Sequence, residues 1–299
     1  MLRSQGQTTV RFWIALLTGK SAALLCRLFR HSGTSLPGVV ALKVYPQLLS
    51  VLPAAYERIV AVTGTNGKTT TANLLAHLLR SSGSSTVNNH EGANMISGVV
   101  TALIKDWTML GERRSQIAVL EVDEGSVGKV FPSVKPDLLV VTNYFRDQLD
   151  RYSDLDHNIN LLRRILDELP QTLLLLNADD PLVVTAGCDH SVASYYGVAS
   201  EQKDQTGDCE IREGSLCPDC GAFLAYNYYN YGQLGAYYCP NCTFRRPVPD
   251  FLASEIQDDD YLEFILHVCQ RKGRNENCST ADTVRLRAQM RGFYNVYNI

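Results

Sequence analysis

The chain has 299 residues, 45% hydrophobic and 20% charged, with a net charge of −3. About 150 residues per domain suggests about two domains, and so ordinary a composition excludes a disordered, collagen-like or coiled-coil chain. Near-balanced charge argues against a protein that coats nucleic acid, so no nucleic-acid partner is expected.

The balance is uneven along the chain. Arg3, Arg11, Lys20, Arg27, Arg30 and Lys43 precede the first acid, Glu57, which leaves −9 on the remainder. Residues 1–56 are therefore expected to form a basic helical segment, with an amphipathic helix over about 9–30 packed on the domain that follows. Two other readings stay open: rest on an anionic membrane face, and an organelle transit peptide. Lys20 interrupts the apolar run at Phe12–Leu17, too early for a bilayer span or a secretory signal.

Ile59–Thr63 is a short β-branched run that reads as a buried parallel strand. Gly64-Thr65-Asn66-Gly67-Lys68-Thr69-Thr70 follows, and Ala72–Arg80 has helical apolar spacing. Strand, glycine turn and helix is the setting of a phosphate-binding loop. Backbone N–H groups can turn inward around phosphate oxygens, Lys68 reaches the terminal phosphates, and the Thr69 hydroxyl holds Mg²⁺. The first glycine of the usual spacing falls on Val62, so the loop is a variant.

Further along, Leu120-Glu121-Val122-Asp123-Glu124 ends a predicted strand, as does Val141-Thr142-Asn143, which leads into Arg146-Asp147-Gln148-Leu149-Asp150-Arg151. Open α/β sheets bind ligands at such strand ends. Alternation puts Glu121 and Asp123 on one face, whereas Glu124 reads as a solvated loop acid. Asn94 suits either the phosphates or a left-handed turn, and Asn143 suits a helix cap as well as a site. Asp179-Asp180-Pro181, after a Leu-rich strand, is a turn in its own right with a secondary claim on a ribose or metal-bound water.

Cys217-x₂-Cys220 and Cys239-x₂-Cys242, eighteen residues apart, have the spacing of a zinc ribbon. Four thiolates close a tetrahedron and leave no position for water, which favours a structural ion. Tyr226, Tyr228, Tyr229, Tyr231, Tyr237 and Tyr238 lie between the knuckles and are expected to form a hairpin whose aromatics fill a small core. Residues 205–247 form the insertion, because sheet-like segments resume at Tyr261–Val268 and Thr283–Leu286. An odd cysteine total fits a reducing compartment, with Cys26, Cys188, Cys209, Cys269 and Cys278 as lone thiols. None of these sits in a glutaminase nucleophile setting.

The loop at 64–70, the segments at 120–124, 141–151 and 177–181, and Gly292-Phe293-Tyr294-Asn295-Val296-Tyr297-Asn298 together resemble the Mur ligase family. Its members join an amine to a carboxylate through an acyl phosphate. The resemblance implies an α/β fold over residues 57–299, a P-loop-type, mostly parallel sheet flanked by helices, with the zinc ribbon inserted. It makes Gly64, Thr65, Asn66, Gly67, Lys68, Thr69, Thr70, Asn94 and Asn295 the ATP contacts. Lys68 and Glu121 become the catalytic pair, with Glu121 and Thr69 on Mg²⁺.

Within the family the chain is most similar to the amidating, MurT-like branch, by its Asp-Gln-Leu-Asp-Arg motif, its Cys₄ insertion and the absence of a large N-terminal substrate domain. That likeness implies amidation of the D-glutamate α-carboxylate in the stem peptide of lipid II or a related muropeptide. It implies ammonia from a GatD-like glutaminase in a heterodimer, and a cytoplasmic site, at the inner face of the membrane in the membrane-resting reading. Gln148 stands where amino-acid-adding relatives carry His, and Leu161-Leu162-Arg163-Arg164 stands where they carry a carbamylated Lys. Arg163 and Arg164 read as a solvated helix face. The likeness also leads us to expect a C-terminal domain beyond the 292–298 motif. The chain given stops at Ile299, which reads either as a fragment of a longer protein or as a protein without that domain. An amino-acid ligase of Mur or folylpolyglutamate type, and a non-catalytic ATP- and zinc-binding scaffold, are the alternatives.

Overall fold

The computed structural model describes residues 10–89, 93–145, 152–187, 190, 192–199, 216–270 and 279–299. By its contacts the chain divides into two units, one of residues 1–63 and 68–140, the other of residues 64–67 and 141–299.

The first unit contains α1 (Val10–Leu28), α2 (Leu36–Val44), α3 (Leu48–Val51), β1 (Arg58–Thr63), α4 (Lys68–Ser81), β2 (Thr86–Asn88), α5 (Ile96–Asp106), β3 (Ile117–Glu121), α6 (Val127–Val134) and β4 (Leu138–Val141). Strands follow the order β4-β1-β3-β2, and β3 pairs in parallel with both β1 and β2. Phe12, Ala15, Leu16, Gly19 and Cys26 recur at helical spacing and form the buried face of α1. Gly19 permits the close approach, since a Cβ there would lie 2.9 Å from Ile104 and 3.2 Å from Ala41. The N-terminal segment thus packs on the following domain, as its sequence suggested. Val99, Val100, Leu103 and Ile104 of α5, with Trp107 after it, are buried. Each such side chain contributes roughly 1.5–3 kcal/mol.

The second unit contains α7 (Tyr152–Asp167), β5 (Leu173–Asn177), α8 (Pro181–Gly187), β6 (Ala193–Val198), β7 (Ala225–Tyr231), β8 (Leu234–Tyr238), β9 (Phe251–Asp258), β10 (Leu262–Gln270) and β11 (Ser279–Ala288), then a 3₁₀ turn at Phe293–Asn298. Strand order is β11-β10-β9-β6-β5. The β5–β6 and β6–β9 pairs are parallel, whereas β9–β10 and β10–β11 are antiparallel. The mostly parallel sheet expected from sequence therefore ends in an antiparallel meander of β9, β10 and β11. The two segments predicted after the insertion fall on β10 and β11, and β9 is an addition to them. Val198, Leu234, Ala253, Leu262, Phe264, Val296 and Tyr297 form a core cluster. Cys269 departs from the reading of the lone cysteines as thiols, because it is disulfide-bonded. Cys188, Cys209 and Cys278 lie outside the described residues.

Candidate nucleotide site and zinc ribbon

β1 delivers the chain to a loop whose glycines are required by space. Gly64 (φ +125°) and Gly67 (φ +83°) hold left-handed conformations. A Cβ at Gly64 would collide with the Thr142 hydroxyl, and one at Gly67 with the Asn298 side-chain oxygen. The Thr65 amide donates to the Asn143 carbonyl at 2.7 Å and the Asn66 amide to Asn143 Oδ1 at 2.9 Å. Asn143 Nδ2 returns a bond to the Asn66 carbonyl at 3.1 Å. The Phe145 amide donates to the Thr65 hydroxyl at 3.1 Å. These bonds splice the first half of the loop, the Thr65 and Asn66 amides included, to the segment after β4. Asn143 is the splice; residues 146–151, which lead into the next helix that it was read as capping, lie outside the described residues.

Lys68, buried, opens α4, so the first-turn amides, including those of Thr69 and Thr70, point along the helix axis. Lys68 Nζ donates to Glu124 Oε2 at 2.9 Å, with side chains only 10% and 22% exposed. Glu124 is thus a half-buried ion-pair partner, which corrects its reading as a solvated loop acid. Glu121 ends β3 and is 2% exposed. Its amide donates to Asn89 Oδ1 and its carbonyl accepts from Asn89 Nδ2, both at 2.8 Å. Asn94 Nδ2 donates to Glu121 Oε1 at 3.1 Å. Asn94 is absent from the described left-handed residues, so its turn reading gives way to one in which it orients the glutamate. Asp123 instead accepts from the Gly125 amide at 3.1 Å and caps a short 3₁₀ turn. Carboxylate and hydroxyl oxygens, as on Glu121 and Thr69, are the donors a hard cation such as Mg²⁺ takes. Gln148 lies outside the described residues. Arg163 and Arg164 are exposed on α7, as a solvated face requires.

Asp179 and Asp180 are fully buried. Asp179 accepts from Tyr297 Oη at 2.7 Å, the Val198 amide at 2.9 Å and Arg246 Nε at 2.6 Å. Burial pushes its carboxyl above the ordinary range, while the guanidinium and the other donors pull back. Asp180 accepts from the Tyr144 and Leu182 amides and from Gln233 Nε2. Burial pushes its pKa up to about 6. These acids are structural hubs more than turn residues. In the motif at 292–298, Asn295 is buried and accepts from Asn298 Nδ2 at 3.0 Å. Asn298, beside Gly67, is the nearer neighbour of the loop. Sequence reasoning quoted Asn298 without choosing it, and missed Gln233 and Arg246 because their partners are remote in the chain.

The four thiolates converge. Cys217 and Cys242 sulfurs are 3.4 Å apart and those of Cys220 and Cys239 3.5 Å, with all four within 4.8 Å of one another. A tetrahedral ion with Zn–S bonds near 2.3 Å places sulfurs about 3.8 Å apart, so the set fits zinc. β7 and β8 form the expected antiparallel hairpin. Tyr226 stacks on Tyr229 at 4.1 Å, and Tyr237 is buried against Phe244, whereas Tyr231 and Tyr238 are exposed. The hairpin is tied down by Gln233 Nε2 to the Tyr144 carbonyl at 2.6 Å and by the Gly235 amide to the Asp179 carbonyl at 3.0 Å.

Comparison with known proteins agrees with this arrangement. The chain is 37% identical over 265 residues to the MurT subunit of lipid II isoglutaminyl synthase (glutamine-hydrolyzing) from Staphylococcus aureus, across 84% of this chain and 58% of that protein. It is 34% identical over 286 residues to the same-named subunit from Streptococcus pneumoniae, across 95% of this chain and 60% of that one. The chain thus spans about three-fifths of the length of these relatives. A pseudomurein peptide ligase type C from Methanothermus fervidus superimposes with a TM-score of 0.60 at 28% identity, covering 82% of this chain and 44% of that structure. Residues 62–219 match the Mur ligase middle domain, so the chain belongs to the Mur ligase family.

Proposed function

We propose that this chain is the ATP-binding part of an amidotransferase that converts the D-glutamate α-carboxylate of a lipid II stem peptide into an amide. Residues 64–70 take the triphosphate, with Lys68 neutralising its charge, and Glu121 and Thr69 hold Mg²⁺, which supplies charge neutralisation at the phosphates. A carboxylate oxygen attacks the γ-phosphorus and ADP leaves. Ammonia then attacks the acyl carbon, loses a proton and expels phosphate. Bringing several negative oxygens together is the main difficulty, so the residues' work is placement and electrostatics. Ammonia comes from a separate GatD-like glutaminase, and zinc in the Cys₄ cluster is structural.

The observation that carries the reading is that the first unit holds both a buried P-loop lysine, Lys68, and a buried strand-end glutamate, Glu121, gripped by Asn89 and Asn94. The likeness to MurT subunits supports amidation over the other ligase reactions. The test supplies lipid II, ATP, Mg²⁺, glutamine and the glutaminase, and follows the stem peptide by mass spectrometry. Exchange of the carboxyl for an amide, lost in Lys68→Ala, supports the reading. Addition of an amino acid would make the protein an ordinary ligase, and equal ATP turnover by Lys68→Ala and wild type would remove the basis of both.

A further inference from the structure

Helix α1 carries two apolar faces, and only one is used by the fold. Opposite the buried face, Val10, Ile14, Leu17, Leu24 and Leu28 recur at helical steps and are 74%, 45%, 43%, 59% and 69% exposed. The stripe runs the length of the 19-residue helix, about 28 Å. Phe29, just past its end, is also exposed. Met109 and Leu110 continue the surface, because Gly111 beside them packs on the Trp13 ring of α1, and both are exposed. An apolar surface of this extent is uncommon on a protein that meets only water.

Charge identifies the occupant. At about 100° per residue, Arg11 and Arg27 stand on either side of the stripe, and both are exposed. Arg30 and His31 follow at the helix end and Arg114 lies beyond the Met109–Leu110 loop, all exposed. Lys20 is turned inward, donating to the Trp107 carbonyl. Glu112 is the acid on the adjoining loop, and the chain has none before Glu57. No single described helix is long and apolar enough to cross a membrane. An apolar strip rimmed by arginines is the pattern of a helix that lies in the headgroup layer, its aliphatic side chains among acyl tails and its cations on lipid phosphates.

We infer that this face of α1, with Met109 and Leu110, is a docking surface for an anionic lipid bilayer. The proposed lipid-linked substrate gives the docking a purpose, but vesicles free of that substrate test it separately. Purified protein is sedimented with vesicles of phosphatidylglycerol and phosphatidylcholine in equal parts, and with phosphatidylcholine alone. Wild type binds the anionic vesicles and leaves the neutral ones. Arg11→Glu/Arg27→Glu and Leu17→Ser/Leu24→Ser/Leu28→Ser each lower partitioning by more than about tenfold, with thermal melting and ATP binding unchanged. Equal binding to both vesicle types, or undiminished binding by both variants, overturns the inference. So does a serine variant that binds vesicles normally but loses a stoichiometric protein partner, since the stripe would then be a subunit interface.

Discussion

Tyr297 donates its phenol to Asp179 at 2.7 Å and so fastens the turn at 293–298 to the end of β5. Arg246, downstream of the last zinc-ribbon cysteine, reaches the same carboxylate through Nε at 2.6 Å. One buried acid therefore holds both the segment that carries Asn298 to Gly67 and the base of the ribbon. Tyr297→Phe removes a buried hydrogen bond to a charged acceptor, worth roughly 1.5–3 kcal/mol. We expect a lower urea midpoint and weaker ATP binding with zinc content unchanged. Unaltered nucleotide affinity would show that the turn does not position Asn298. Arg246→Ala strands the Asp179 charge and should cost more, about 3–5 kcal/mol.

Asp180 gives a pH dependence of definite sign. Its pKa is near 6 in the folded protein because of burial, above the ordinary 3.8. The folded state therefore holds the proton longer than the unfolded chain, and this carboxyl costs stability as pH rises from about 4 to 6. The two-unit displacement amounts to roughly 3 kcal/mol across that window. Urea unfolding of wild type and Asp180→Asn at several pH values isolates the effect. Wild type should lose stability relative to the variant between pH 4 and 6, then run parallel above it. A constant difference throughout would mean that Asp180 is ionised even at the acid end.

Lys68 and Glu124 give a prediction about the nucleotide. Their 2.9 Å ion pair occupies the ammonium that a triphosphate needs, so binding must exchange one anion for another. Glu124→Gln keeps the shape and removes the charge. A half-buried pair of this kind is worth about 1 kcal/mol, so ATP affinity should rise about fivefold, measurable by titration calorimetry. A fall in affinity would instead place Glu124 among the groups that assist the metal.

Much of this was legible in the sequence where the signal is local. The β-branched run, Gly64 and Gly67, and the leucine spacing after Lys68 gave β1, the loop and α4, because strand, turn and helix each declare themselves within a few residues. The cysteine knuckles did so too. What escaped depends on side chains meeting across long stretches of chain. Glu124 lies 56 residues from Lys68, and Gln233 lies 53 from Asp180. No periodicity encodes such pairs, so Glu124 read as a solvated acid. Asn143 gave a partial signal, since its place after a strand pointed to the sheet edge but not to Asn66.

The ribbon supplies the last prediction, because its thiolates and its anchorage lie at opposite ends of one hairpin. Cys217, Cys220, Cys239 and Cys242 cluster at the open ends of β7 and β8, and Gln233 at the tip bonds the Tyr144 carbonyl and Asp180. Gly232 beside it packs on Phe145, whose amide bonds the Thr65 hydroxyl of the nucleotide loop. A hairpin with so few buried side chains cannot hold its shape alone, so the ion's binding energy is folding energy for it. Cys220→Ser should release zinc and unfold the insertion. The loss should travel through Gln233, raising hydrogen exchange at residues 143–145 and weakening ATP binding. Gln233→Leu separates the two effects: zinc content should stay at the wild-type level, while the apparent KM for ATP rises more than kcat falls. Equal nucleotide affinity in wild type and both variants would leave the ribbon as a detached module with no bearing on the loop.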